Sequence, residues 1–210
     1  MIDFANIKTY STEFPNNWSF LWSPEEASSI SQEHKDQIFF LNDEASEFIG
    51  NYIESSKMIT GPIWRPFNER YFKIIEEFDV TENCEKEIKK WLHNKAIPFD
   101  KIVYIEGDRS GQSIALTWKM VIKYWEGLFF SDDIIIFDET LNWGLFYFHE
   151  DKLFFGNEKI YDKEFEYQKT IELNELKAKF FNKNNLNFNR NKKKQSVNDF
   201  KEKYNINNIE

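Results

Sequence analysis

The chain has 210 residues and a mass of 25.4 kDa, and its 22 Phe, 9 Tyr and 7 Trp within 41% hydrophobic content exclude a wholly disordered polymer. No apolar run nears the roughly 18 residues that a membrane-spanning helix needs, and the single cysteine, Cys84, excludes an intrachain disulfide or a multi-cysteine zinc site. The formal charge of -9 is split: residues 1–167 hold 17 Lys and Arg against 31 Asp and Glu, whereas residues 168–210 hold 10 against 5. The body therefore repels nucleic acid and anionic membrane and attracts basic partners through its long-range field.

The chain begins Met1-Ile2-Asp3-Phe4-Ala5-Asn6, without the basic region and apolar stretch of a secretory signal, so a reducing, cytoplasmic setting is expected. Ser23-Pro24-Glu25-Glu26 combines a hydroxyl cap, a proline at the first helical position and a glutamate three residues after the cap, which predicts a short helix over 24–32. Asn42-Asp43-Glu44 opens a second helix carrying Phe48, Ile49, Tyr52 and Ile53. The stretch 61–66, with two prolines, reads as a loop. Phe67, Tyr71, Ile74, Ile75 and Phe78 fit a helical stripe, with a strand across 71–75 as the alternative. Thr81 then caps a helix whose buried face would be Cys84, Ile88, Trp91 and Leu92, ending near Pro98.

From 102 the period shortens. Ile102-Val103-Tyr104-Ile105 is a β-branched and aromatic run closed by the loop residues 107–111, and 112–116 returns as a second strand. Thr117 caps a helix bearing Trp118, Val121, Ile122 and Trp125. Residues 134–137, 143–148 and 152–155 read as three further strands joined by the polar turns 138–142 and 149–151. Helical patterns first and a meander later predict an α+β domain over 1–167, with N-terminal helices packed on one face of a C-terminal antiparallel sheet. Residues 168–210 read as a basic tail rich in Asn and Lys, with one helix over 171–181. Beyond it stand ten asparagines and Lys192-Lys193-Lys194, too little apolar surface to offset the entropy of ordering.

Two blocks carry a family resemblance. The first is Trp18-Ser19-Phe20 followed by Ile38 to Ile53 with its ending Asn51-Tyr52-Ile53. The second is Thr117-Trp118, Tyr124-Trp125, Leu128-Phe129-Phe130, Ser131-Asp132-Asp133 and the hairpins through Phe155-Gly156. The arrangement resembles a small bacterial domain family of unknown function, found mainly in gammaproteobacteria. In that family a Thr-Trp, an aromatic-Trp and an aliphatic-Phe-X-Asp-Asp run stand in the same order. It also resembles immunity proteins of contact-dependent inhibition and other polymorphic toxin systems, over about residues 15–156. The resemblance implies a strand-turn-strand ending with an acidic, aromatic face, and a toxin domain as partner. It implies no chemistry.

The candidate partner-binding residues are Asp132, Asp133, Asp138, Glu139, Glu150 and Asp151, with Trp143 as the aromatic anchor. If 134–137 and 143–148 form a hairpin, Asp132, Asp133, Glu150 and Asp151 share one end, and Asp138 and Glu139 lie at the other. Exposed ion pairs are each worth only about 0.2–1 kcal/mol, so such charges steer and orient while apolar anchors hold. The competing reading is that acidic turns solvate a sheet edge and Trp143 is core. Asp132, Asp133 and His149 form the one candidate metal group, giving an alternative reading as a metal-dependent enzyme of unknown substrate. Successive strand residues point to opposite faces, and no second histidine stands at ligand spacing, so no metal or other cofactor is expected. Cys84 lies among Glu82, Glu85 and Glu87, which disfavour a thiolate. Neither a nucleophile elbow nor a phosphate-binding glycine loop is present. The expected function is non-enzymatic occlusion of a basic protein, with a general interaction module as a further alternative. Nucleic acid is not an expected partner, the basic tail being the one segment that could touch it.

Overall fold

The Ile, Val, Phe and Tyr runs after 102 are strands, because β-branched and aromatic side chains fit a pleated, two-sided surface. This computed structural model describes residues 2–14, 24–59, 62, 64–106, 112–129 and 133–160, together with 167, 170, 171, 174, 175 and 178. The chain divides into two units, Met1–Asp162 and Lys163–Glu210. In the second, Tyr167, Thr170, Ile171, Asn174, Glu175 and Ala178 are helical and exposed, while the lysine run at 192–194 lies outside the described residues. No helix among the described residues is long and apolar enough to cross a membrane.

The first unit is α+β. Its strands are β1 (Ile38–Phe40), β2 (Phe72–Asp79), β3 (Ile102–Glu106), β4 (Ile114–Thr117), β5 (Ile134–Phe137), β6 (Gly144–Phe148) and β7 (Lys152–Lys159). They form one antiparallel sheet in the order β1-β4-β3-β5-β6-β7-β2. The helices are α1 (Pro24–Ser29), α2 (Gln32–Lys35), α3 (Asp43–Ser56), α4 (Glu85–His93), α5 (Trp118–Lys123) and α6 (Trp125–Leu128), with a 3₁₀ turn at Ile7–Tyr10.

Alternation along the strands separates two apolar faces. Ile38, Phe40, Val103, Ile105, Ile114, Leu116, Ile134, Ile136, Leu145, Tyr147, Leu153 and Phe155 share one cluster with Ile88 and Leu92 of α4, Trp118, Val121 and Ile122 of α5, and Leu128 of α6. Each fully buried aliphatic or Phe side chain there contributes about 1.5–3 kcal/mol. On the other face α3 covers the sheet, its Tyr52 ring stacked on Phe137 at 6.4 Å and Phe4 packed on both Tyr52 and Tyr104. The helices therefore divide between the two faces. Asn42 caps α3 as its sequence predicts, its side chain accepting a hydrogen bond from the Ala45 N–H.

Three expectations are corrected. The stripe from Phe67 to Phe78 is not helical; the alternative, a strand, holds as the edge strand β2, which begins at Phe72 and registers Ile75 against Gly156 and Phe78 against Leu153. Cys84 is exposed, standing as the cap of α4 with its N–H donating to the Glu87 carboxylate at 3.0 Å; the buried face of that helix is Ile88 and Leu92. Thr81 is not the cap: its N–H and hydroxyl both donate to Asp79.

Gly144 and Gly156 are opposed across β6 and β7. A Cβ at 144 would lie 2.7 Å from the Met58 sulfur, and one at 156 only 2.2 Å from the Phe72 ring. The two bare positions make a smooth strip of sheet on which the side chains of Met58, Phe67 and Phe72 lie.

Candidate functional site

The β5–β6 hairpin, which registers Ile134 against Tyr147 and Phe137 against Gly144, separates the predicted acids into two groups. Four strand residues at about 3.3 Å each put the groups roughly 13 Å apart. At the 138–143 end, Asp138 is only 4% exposed. Its carboxylate accepts from the Thr140 N–H at 2.9 Å, the Thr140 hydroxyl at 2.5 Å and Trp143 Nε1 at 3.0 Å, with Lys101 Nζ at 3.5 Å. Trp143 is 9% exposed, edge-on to Trp118 and stacked on Phe155. Neither presents a surface to a partner: the anchor expected at Trp143 is a core side chain, and Asp138 is the acceptor that closes its turn.

Glu139 is half-buried. It takes Lys101 Nζ at 2.5 Å, and its carbonyl accepts the Tyr52 hydroxyl at 2.6 Å, tying the turn to α3. Burial works against the Lys101 charge, but the Glu139 and Asp138 carboxylates outweigh it and hold the ammonium above its ordinary value. The Tyr104 hydroxyl is pushed well up, first by burial and then by Glu139 and Asp138.

At the opposite end, Asp133 accepts from both the His149 N–H and the ring Nδ1 at 2.9 Å. Asp151 adopts φ 59°, accepts the Tyr147 hydroxyl at 2.9 Å, and receives the Val80 N–H on its carbonyl. Glu150 is exposed beside it. Asp132 lies outside the described residues. Among those described, no three His, Cys, Asp or Glu side chains converge closely enough to hold a metal ion.

Asp133 also belongs to a second constellation. Glu47, Gly50, Asn51 and Glu54 recur at helical spacing on one side of α3, facing Glu106 at the end of β3 and Asp133 at the start of β5. Together with Lys57, and over a floor of Ile53, Ile135 and Phe146, they line a groove of about 640 Å³. Four carboxylates share this groove with one ammonium. Burial, and then the neighbouring Glu54 charge, push the Glu106 carboxyl above the usual carboxylate range. Such a site attracts a cation and offers acceptors to it, over an apolar floor.

Only Asp133 of this set is among the residues predicted from sequence. Glu47 and Glu54 are seven apart, a same-face helical spacing that the sequence does carry; their meeting with Glu106 depends on the sheet placing β3 next to β5 beneath α3. Set against models of known families, curated proteins and solved structures, the chain shows no match.

Proposed function

We propose that this protein is a non-enzymatic bacterial immunity protein, acting in the cytoplasm, that binds and occludes a basic toxin domain. The observation that supports this reading is the acid-lined groove between α3 and the sheet, where Glu47, Glu54, Glu106 and Asp133 share the lining with a single lysine, Lys57. The groove's electrostatics favour the same partner: Glu106 and Glu54 repel one another, and an arginine or lysine inserted between them relieves that repulsion while gaining charge-assisted hydrogen bonds. Neutralisation follows by mass action. The folded acidic surface covers a basic cleft, charge sets the rate of encounter, and water exclusion over Ile53, Ile135 and Phe146 slows release. Glu139, Glu150 and Asp151 extend the negative field without belonging to the groove.

The test is co-purification with the product of the adjacent gene, followed by binding kinetics. A complex whose association rate falls about tenfold on Glu47→Lys plus Glu54→Lys supports the reading. Absence of any complex with a basic neighbour, or a complex indifferent to both reversals, overturns it.

A further inference from the structure

The two edges of the sheet are finished differently. β1 is three residues long, and its outer side is engaged by the Ser11–Leu41 bridge and by the Thr12 N–H, which donates to the Phe40 carbonyl at 2.7 Å. β2 is eight residues long, pairs only with β7, and has no strand on its outer side among the described residues. The same edge gathers exposed apolar side chains: Ile74 is 42% exposed, Ile75 44% and Trp64 65%, with Trp64 and Ile75 lining one groove of about 880 Å³ over Phe154. A long, bare edge carrying isoleucine on both faces is a template for another strand.

The charges on β2 decide which strand. A two-fold axis normal to the sheet sets each residue opposite one of the same face. Centred on Ile75, antiparallel pairing of β2 with its own copy opposes Lys73 to Glu77 twice and Ile75 to Ile75, with no like charges facing. Shifting the centre to Glu76 opposes Lys73 to Asp79, but it also sets the Glu76 carboxylate against its own copy, a destabilising opposition. Of the two, only the register centred on Ile75 pairs opposite charges without opposing any like ones.

We infer that two copies of this chain associate through β2, antiparallel and centred on Ile75, into one continuous sheet of twice seven strands. Backbone hydrogen bonds along the edge supply the joint, and the Trp64–Ile75 groove of each copy extends across it. The pairing leaves the acidic groove beside α3 untouched.

The experiment is light scattering on the full chain, expected to give twice 25.4 kDa. Lys73→Glu alone and Glu77→Lys alone each place like charges opposite one another and should return the mass to 25.4 kDa; the double reversal should restore the dimer. In a Cys84→Ser background, Ile75→Cys should oxidise to a covalent dimer, since directly opposed strand residues lie within disulfide range. All four side chains are exposed, and Lys73 and Glu77 give up only surface ion pairs with Glu158 and Lys152, so the variants are expected to fold, which circular dichroism checks. A monomeric wild type at every attainable concentration overturns the inference. A dimer indifferent to both single reversals overturns it equally, by placing the joint elsewhere.

Discussion

The Trp143 indole donates its Nε1–H to the Asp138 carboxylate at 3.0 Å, and both side chains lie inside the protein. The bond spans the turn between β5 and β6 and holds the indole against Trp118 and Phe155. An acidic turn can thus be structural even when its composition suggests a contact surface.

Asp138→Ala strands the indole N–H and removes the acceptor for Thr140. Deleting one partner of a buried, charge-bearing hydrogen-bond set costs on the order of 2–4 kcal/mol. Urea denaturation should show that loss. Glu150→Ala, in the exposed turn, should stay within about 0.5 kcal/mol of wild type.

Gly156→Ala puts a methyl group where the Phe72 ring lies, 2.2 Å away. Overpacking of this kind costs about 1–3 kcal/mol. The same change in a Phe72→Leu background should cost less, because the obstructing ring is gone. A double-mutant cycle on midpoint denaturant concentrations reads the coupling directly.

The Glu106 carboxyl is raised by burial and by Glu54, so the folded state binds its proton more tightly than the unfolded chain does. The sign follows: at neutral pH its ionisation opposes folding, and that opposition is relieved as pH falls through the folded value towards that of an ordinary glutamate. Glu106→Gln should therefore raise the melting temperature at pH 7, and the gain over wild type should shrink as the buffer is acidified. A gain that stays constant down to acid pH would show that burial and charge at this position are unimportant.

Screening separates steering from holding at the acidic groove. If Glu47, Glu54, Glu106 and Asp133 act by attracting a basic protein, raising ionic strength should slow association with the adjacent gene product while changing dissociation much less. Stopped-flow mixing across a salt series measures both rates.

Much of this architecture is legible in the chain itself. The runs at 102–105, 134–137 and 152–155 become strands because each is buried on both sides, and Asn42 starts α3 because its side chain satisfies an otherwise free N–H. β2 is harder to read. Ile74 and Ile75 are adjacent and both partly exposed, so the two-residue alternation of a half-buried strand is blurred, and Tyr71, Ile74, Ile75 and Phe78 happen to sit at helical intervals. Cys84 misleads for a related reason. Its spacing matches the apolar stripe, but it precedes the first turn of α4 and points away from the buried face. The groove acids come from α3, the end of β3 and the residue preceding β5, and their convergence is a property of strand order that no local pattern encodes.

Strand order also sets the schedule of assembly. Each outer strand emerges from the ribosome well before the neighbour it needs: β1 waits for β4, and β2 for β7, whose first residue is Lys152. Contacts so distant in sequence slow folding, and an unpaired apolar ribbon made early is prone to aggregation until the last hairpin arrives. Truncations ending before β7 should therefore precipitate or engage chaperones during synthesis, and the finished chain should refold more slowly than helical proteins of its length.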